Sequence, residues 1–164
     1  MLSWGDFARA EPALAAAGRD LLYQFGGVGL AFLGTVRADG GPRLHPVRVL
    51  LGDEGLYTFL IPSPKQRDLL RDPRYALHCY PPDANEDAFY LTGEASPVSD
   101  RPELRAALAG QFGAEMAMPF DPAELDGQFL FEHHIDRVLR TVTTGHGDPN
   151  PVHTVWRAAS SAIR

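Results

Sequence analysis

The chain has 164 residues, of which 45% are apolar and 22% charged, the proportions of one ordinary globular domain with a sizeable core. A net charge of −6 speaks against a general nucleic-acid binder, and a single cysteine excludes an internal disulfide framework or a cysteine zinc site. No apolar run reaches membrane-spanning length and the N-terminus lacks a basic-then-apolar signal pattern, so a cytoplasmic protein with no membrane partner is expected, one domain over residues 1–164.

Residues 3–25 read as helix. Ser3 can cap a first short piece, Pro12 restarts it, and Leu14, Ala17, Leu21 and Phe25 recur on one face at helical spacing. Gly26-Gly27-Val28-Gly29 is not a dinucleotide fingerprint, because the third glycine is absent and the run precedes a strand instead of following one. Val28–Val36 is expected to be a buried strand, Asp39-Gly40 a hairpin turn, and Pro42–Leu51 a second strand. Pro46 lacks a ladder donor and interrupts that second strand, which marks an edge or a bulge. Successive hairpins without a strand–helix alternation predict an antiparallel barrel or sandwich.

The most informative stretch runs from Leu56 to Tyr80. Leu56-Tyr57-Thr58-Phe59-Leu60 reads as a strand, stopped by Pro62. Ser63 suits a helix N-cap, Pro64 the first helical position, and Gln66 could complete a capping box with Ser63. Leu69-Leu70 give the short helix an apolar side and Asp72-Pro73 end it. Lys65, the sole lysine among fifteen Lys and Arg residues, sits in the first turn, where the positive end of the helix dipole disfavours a cation. Two readings follow: a capped surface helix with a solvated lysine, or an anion site in which helix-start N–H groups and one ammonium hold a phosphate.

Farther on, Arg74–Pro81 is a strand with Tyr75, Leu77 and Cys79 on one side and Ala76, His78 and Tyr80 on the other. Cys79 and His78 therefore point apart, and Cys79 reads as an inert core thiol. Ala88–Val98 is a long strand. A helix with a capping box opens at Asp100-Arg101-Pro102-Glu103, with Leu104, Leu108 and Phe112 on one side, and a short one starts near Asp121; residues 113–127 are the least legible. Gln128–Thr144 is strand, placing His133 and His134 on opposite faces, and Val152–Arg157 is the last strand. No metal-ligand spacing, paired-carboxylate setting or Ser-His-Asp order stands out.

Leu56 to Tyr80 resembles the cofactor-binding segment of the pyridoxamine 5'-phosphate oxidase-like flavin proteins, the FMN-binding split barrels. The pattern is a hydrophobic strand, Ser63-x-Lys65, Asp68-Leu69 in a helix, then Asp72-Pro73-Arg74 before the next strand. Weaker similarity extends over Val28–Gly93, with an echo at Val155-Trp156-Arg157. The resemblance implies an α+β, mainly β fold, an antiparallel split β-barrel with flanking helices, forming a homodimer with FMN at the subunit interface. It implies cofactor contacts from Ser63 and Lys65 (with Gln66 in the same turn) at the phosphate, from Thr58 and Phe59 along the flavin, and from His45, Pro46, Val47 and Arg48 at the polar edge of its ring. Trp156 and Arg157 would reach the flavin from the partner subunit.

Departures bound the activity. Pro64 stands where the family's oxidases often carry Arg, Ala88 where they carry a flavin-contacting Gln, and the C-terminal Arg-Leu-His motif that grips pyridoxal phosphate is absent. Vitamin B6 oxidation is therefore not expected. The expected function is hydride transfer between a reduced nicotinamide and a small organic acceptor through FMN. One alternative is a deazaflavin-dependent reductase using Arg67 and Arg71 for a longer phosphate tail; another is a non-enzymatic flavin- or haem-binding barrel, haem taking His78, His133 or His134 as ligand.

Overall fold

The computed structural model describes residues 1–116 and 119–159; residues 117–118, within the least legible stretch, and 160–164, the end of the expected domain, lie outside the described residues. The strands are β1 (Leu30–Val36), β2 (Pro42–Arg48), β3 (Leu50–Leu51), β4 (Leu56–Leu60), β5 (Arg74–Cys79), β6 (Ala88–Pro97), β7 (Phe129–Val142) and β8 (Val152–Arg157). They form one antiparallel sheet in the order β2-β1-β5-β6-β7-β4-β3, curled into a half-barrel with helices α1 (Trp4–Ala10), α2 (Pro12–Leu22), α3 (Pro64–Arg71) and α4 (Pro102–Ala114) around it.

Strand β7 is the spine. It pairs with β6 along one edge; along the other it carries β4 near its start and β8 near its end. The gap between β4 and β8 is closed by Leu2, which exchanges backbone hydrogen bonds of 2.8 and 2.7 Å with Ile135. The register of β6 on β7 slips between Thr92 and Gly93, where a Cβ on Gly93 would stand 1.8 Å from the His134 carbonyl oxygen, so only glycine fits this bulge.

Two apolar clusters follow from the pleat. Ala31, Leu33, Tyr75, Leu77, Cys79, Phe89 and Leu91 project inward at period two and, with Ile135 and Val138 from β7, meet Trp4, Phe7, Leu14, Ala15 and Leu22 from the N-terminal helices. The smaller cluster, Leu50, Tyr57, Leu108 and Leu130, attaches α4 to β3, β4 and β7, with Phe59, Leu104 and Phe112 at its margin.

Several local expectations change. The two helical pieces meet at Glu11-Pro12 as expected, but the second ends at Leu22 and α2 buries Leu14, Ala15, Gly18 and Leu22, a face rotated from the Ala17/Leu21/Phe25 one. Gly18 sets that rotation: an added Cβ would lie 2.3 Å from the Phe89 ring, so the bare backbone of α2 packs on that ring. Strand Pro42–Leu51 divides at Val49, whose N–H turns to the Gly29 carbonyl. Pro46 does not interrupt it; β2 is an edge strand and Pro46 stays in register opposite Phe32. The capping boxes expected on α3 and α4 do not form, whereas Asp121 and Glu124 make one on the short 3-10 turn Pro122–Leu125. Leu70 is half exposed, and the buried face of α3 is Gln66, Asp68 and Leu69.

Candidate functional site

The turn after β4 launches α3 into the end of the half-barrel. Asp68 anchors it: its carboxylate accepts from Arg43 at 2.6 Å and from the Thr35 hydroxyl at 3.0 Å, and pairs with Arg71 at 3.3 Å. Burial alone would raise the Asp68 pKa, but these three donors outweigh it and hold the carboxyl below the ordinary value. Arg71 also donates to the Val36 carbonyl, tying α3 to the first hairpin.

At the other end of α3, Ser63 takes the N-cap backbone conformation (φ −159°, ψ 166°) without making the side-chain cap. Its hydroxyl is buried and has no hydrogen-bond partner. Pro64 has no N–H, the Arg67 N–H reaches the Ser63 carbonyl, and helix geometry leaves the N–H groups of Lys65 and Gln66 without intrahelical acceptors. A buried orphan hydroxyl beside free helix-start donors is costly unless something accepts from or donates to it.

Lys65 is partly buried and faces a cleft of about 190 Å³ formed by Pro46, Val47, Arg48, Phe59, Leu60, Ile61, Lys65, Phe112 and Gln128. Strand β2 ends beside β4 here, and the last turns of α4 roof the gap. Two cations and no acid line this cleft. None of the ion pairs among the described residues uses Lys65. Arg48 lies flat on Phe112, its guanidinium carbon 3.8 Å from the ring centroid, and bonds Glu115 at 3.1 Å. Phe59 meets Phe112 edge-on at 6.2 Å.

The fold thus brings Pro46, Val47, Arg48, Phe59 and Lys65 to one cleft, with Ser63 and Gln66 buried in the adjoining turn. His45 lies partly buried on β2, opposite Leu33. The Thr58 side chain turns inward and shares a 2.9 Å hydrogen bond with His133. Trp156 packs against Phe7 in a tilted pair with ring centroids 5.0 Å apart, outside this cleft, and Arg157 is exposed beside it on β8. Phe112, Gln128 and Glu115 were not singled out from the sequence as site residues; they lie more than sixty positions from Arg48 and no local motif marks them.

The three histidines considered as haem ligands do not converge. His133 is fully buried, edge-on to Tyr75 at 4.6 Å, and burial pushes its pKa down to about 3, with His134 adding to the effect. His134 bonds Ser96, and the His78 ring bonds the Cys79 carbonyl. Cys79 is buried and its thiol pKa is raised by that burial, as for an inert core cysteine.

A family model described as pyridoxamine 5'-phosphate oxidase matches residues 22–141. No curated protein matches the chain by sequence. Among solved structures, an F420 reductase superposes with a TM-score of 0.58 at 20% identity over 73% of this chain and 94% of its own. HutZ, the haem storage protein of Vibrio cholerae, gives 0.57 at 18% identity over 77% and 89%. A Clostridium acetobutylicum protein related to general stress protein 26, of the pyridoxinephosphate oxidase family, gives 0.60 at 14% over 90% and 95%. At these identities the likenesses show the shared fold.

Proposed function

This chain belongs to the pyridoxamine 5'-phosphate oxidase family, and on that premise we propose that it binds FMN in the cleft between β2, β4 and α4 and serves as an oxidoreductase. The observation that carries this reading is the unpartnered, buried Ser63 hydroxyl next to the unpaired Lys65 at the start of α3. A phosphate there would accept from the hydroxyl, the ammonium and the free N–H groups together. Phe59 offers an aromatic wall, while the backbone of Pro46, Val47 and Arg48 offers the end of an edge strand to a polar ring edge.

A bound flavin supplies hydride transfer, between a reduced nicotinamide and a small organic acceptor in this reading, and the protein's part is to hold and orient it. The cleft, about 190 Å³, is smaller than the ~300–1,000 Å³ of common small-molecule sites. A second copy of the chain completing it would make the active unit a homodimer. Of Trp156 and Arg157, the exposed Arg157 is the one free to reach a partner's cleft.

The F420 reductase likeness favours a deazaflavin as second reading. Of the two arginines available for a longer tail, however, Arg71 is committed to Asp68 and the Val36 carbonyl, and only Arg67 is exposed and uncommitted. The haem reading rests on the fold shared with HutZ, with each of the three histidines already engaged. The test is spectroscopic: the purified protein is yellow or quenches FMN fluorescence on titration, and Lys65→Ala weakens FMN binding severalfold or more. A colourless protein indifferent to FMN would refute the reading, and tighter binding of the deazaflavin would select the alternative.

A further inference from the structure

Arg48 is underused. Its side chain is 19% exposed, yet its Nε is buried without a partner. Both terminal nitrogens reach the Phe112 carbonyl only at 3.5 Å, the limit of a hydrogen bond, and Nη2 alone makes a good contact, with Glu115 at 3.1 Å. Nε and Nη2 form the side-on fork with which a guanidinium grips a carboxylate through two parallel bonds. Glu115 occupies one prong of that fork and leaves the other empty.

Glu115 has an anchorage of its own. Its Oε1 accepts from the Tyr23 hydroxyl at 3.2 Å and from Gln111 Nε2 at 2.9 Å. Tyr23 is in turn fixed by the Leu51 N–H at 3.0 Å. The carboxylate therefore keeps two donors if Arg48 turns away from it. Phe112 supports the guanidinium face throughout.

We propose that Arg48 is the recognition residue for a small planar carboxylic acid that enters the Arg48 end of the cleft against Phe112, with Glu115 as the internal carboxylate that such a ligand displaces. The inference rests on the cofactor reading for the claim that this ligand is a substrate, since Lys65 and Ser63 then serve the phosphate and Arg48 is left for a second anion. A carboxylate across Nε and Nη2 satisfies the orphan donor, which Glu115 does not.

Benzoate and benzamide are suitable probes, one charged and one neutral but of the same shape, titrated calorimetrically into the protein with and without saturating FMN. Benzoate binds on the order of tenfold more tightly than benzamide, as expected for a charge-assisted bidentate contact. Arg48→Gln collapses that ratio to about one, and Glu115→Gln raises it severalfold by removing the internal competitor. Equal affinity for the two probes, no binding of either, or a ratio indifferent to Glu115→Gln overturns the proposal. If Arg48→Gln fails to fold, Glu115→Gln and the probe ratio still decide. FMN titration of the same samples separates the two claims: loss of FMN binding with the ratio intact refutes the cofactor reading alone.

Discussion

Ser63 is where a structural role and a ligand-binding role predict opposite outcomes. An N-cap serine that bonds the helix start loses about 1 kcal/mol of stability when changed to alanine. The Ser63 hydroxyl makes no such bond. Ser63→Ala should therefore leave the urea midpoint of the cofactor-free protein unchanged or slightly raised, while FMN affinity falls by roughly tenfold. A midpoint loss with unchanged affinity would return Ser63 to an ordinary cap. His133 gives a second test at this scale. Its pKa falls from 6.5 unfolded to about 3 folded, so the unfolded state binds the extra proton and stability is lost as pH drops from 6.5 toward 3. The slope approaches ~1.4 kcal/mol per pH unit. Urea unfolding between pH 7 and 4.5 should show it, and His133→Gln, which keeps a partner for Thr58, should flatten it.

At the scale of elements, the hairpins, the inward face of β5 and the strand–turn–helix at Leu56–Arg71 were legible because period-two burial, Asp-Gly turns and Pro at a helix start are local signals. The roof of the cleft was not. Phe112 and Glu115 act through Arg48, and only the closure of the sheet places α4 over β2. The α2 face was misread because the pattern of large apolar residues ignores Gly18, which packs by having no side chain. The missing side-chain cap on α3 has a related origin: a sequence states which residues can cap, while burial decides where the Ser63 hydroxyl points. Gly93 sits at a comparable blind spot, the bulge that lets β6 follow β7. Gly93→Ala must push its Cβ into the His134 carbonyl, and thermal or urea unfolding should report a loss of roughly 3 kcal/mol. A loss below about 0.5 kcal/mol, ordinary for an unstrained surface site, would contradict the bulge argument.

At the scale of the whole molecule, the cleft is small and apolar side chains are exposed on it and on its neighbouring strands. Ile61 is 55% exposed on the cleft wall, Phe129 is 40% exposed opposite Leu60, and Leu44 is 65% exposed on the edge strand β2, two residues before Pro46. In the proposed homodimer the second copy would cover these exposed apolar side chains. Sedimentation should accordingly give a species of twice the 17.9 kDa chain mass, and Leu44→Glu with Ile61→Glu should shift it toward monomer and weaken FMN binding with it. A monomer that binds FMN at full affinity would remove the interface from the account. The claim on which the rest depends is that the beginning of α3 holds a phosphate, and the comparison of FMN with riboflavin, which differs only in lacking that phosphate, isolates it. The account predicts that the wild-type protein prefers FMN by on the order of a hundredfold, as for two or more charge-assisted bonds, and that Lys65→Ala reduces the preference severalfold or more. Equal affinity for FMN and riboflavin, or a preference untouched by Lys65→Ala, would contradict it.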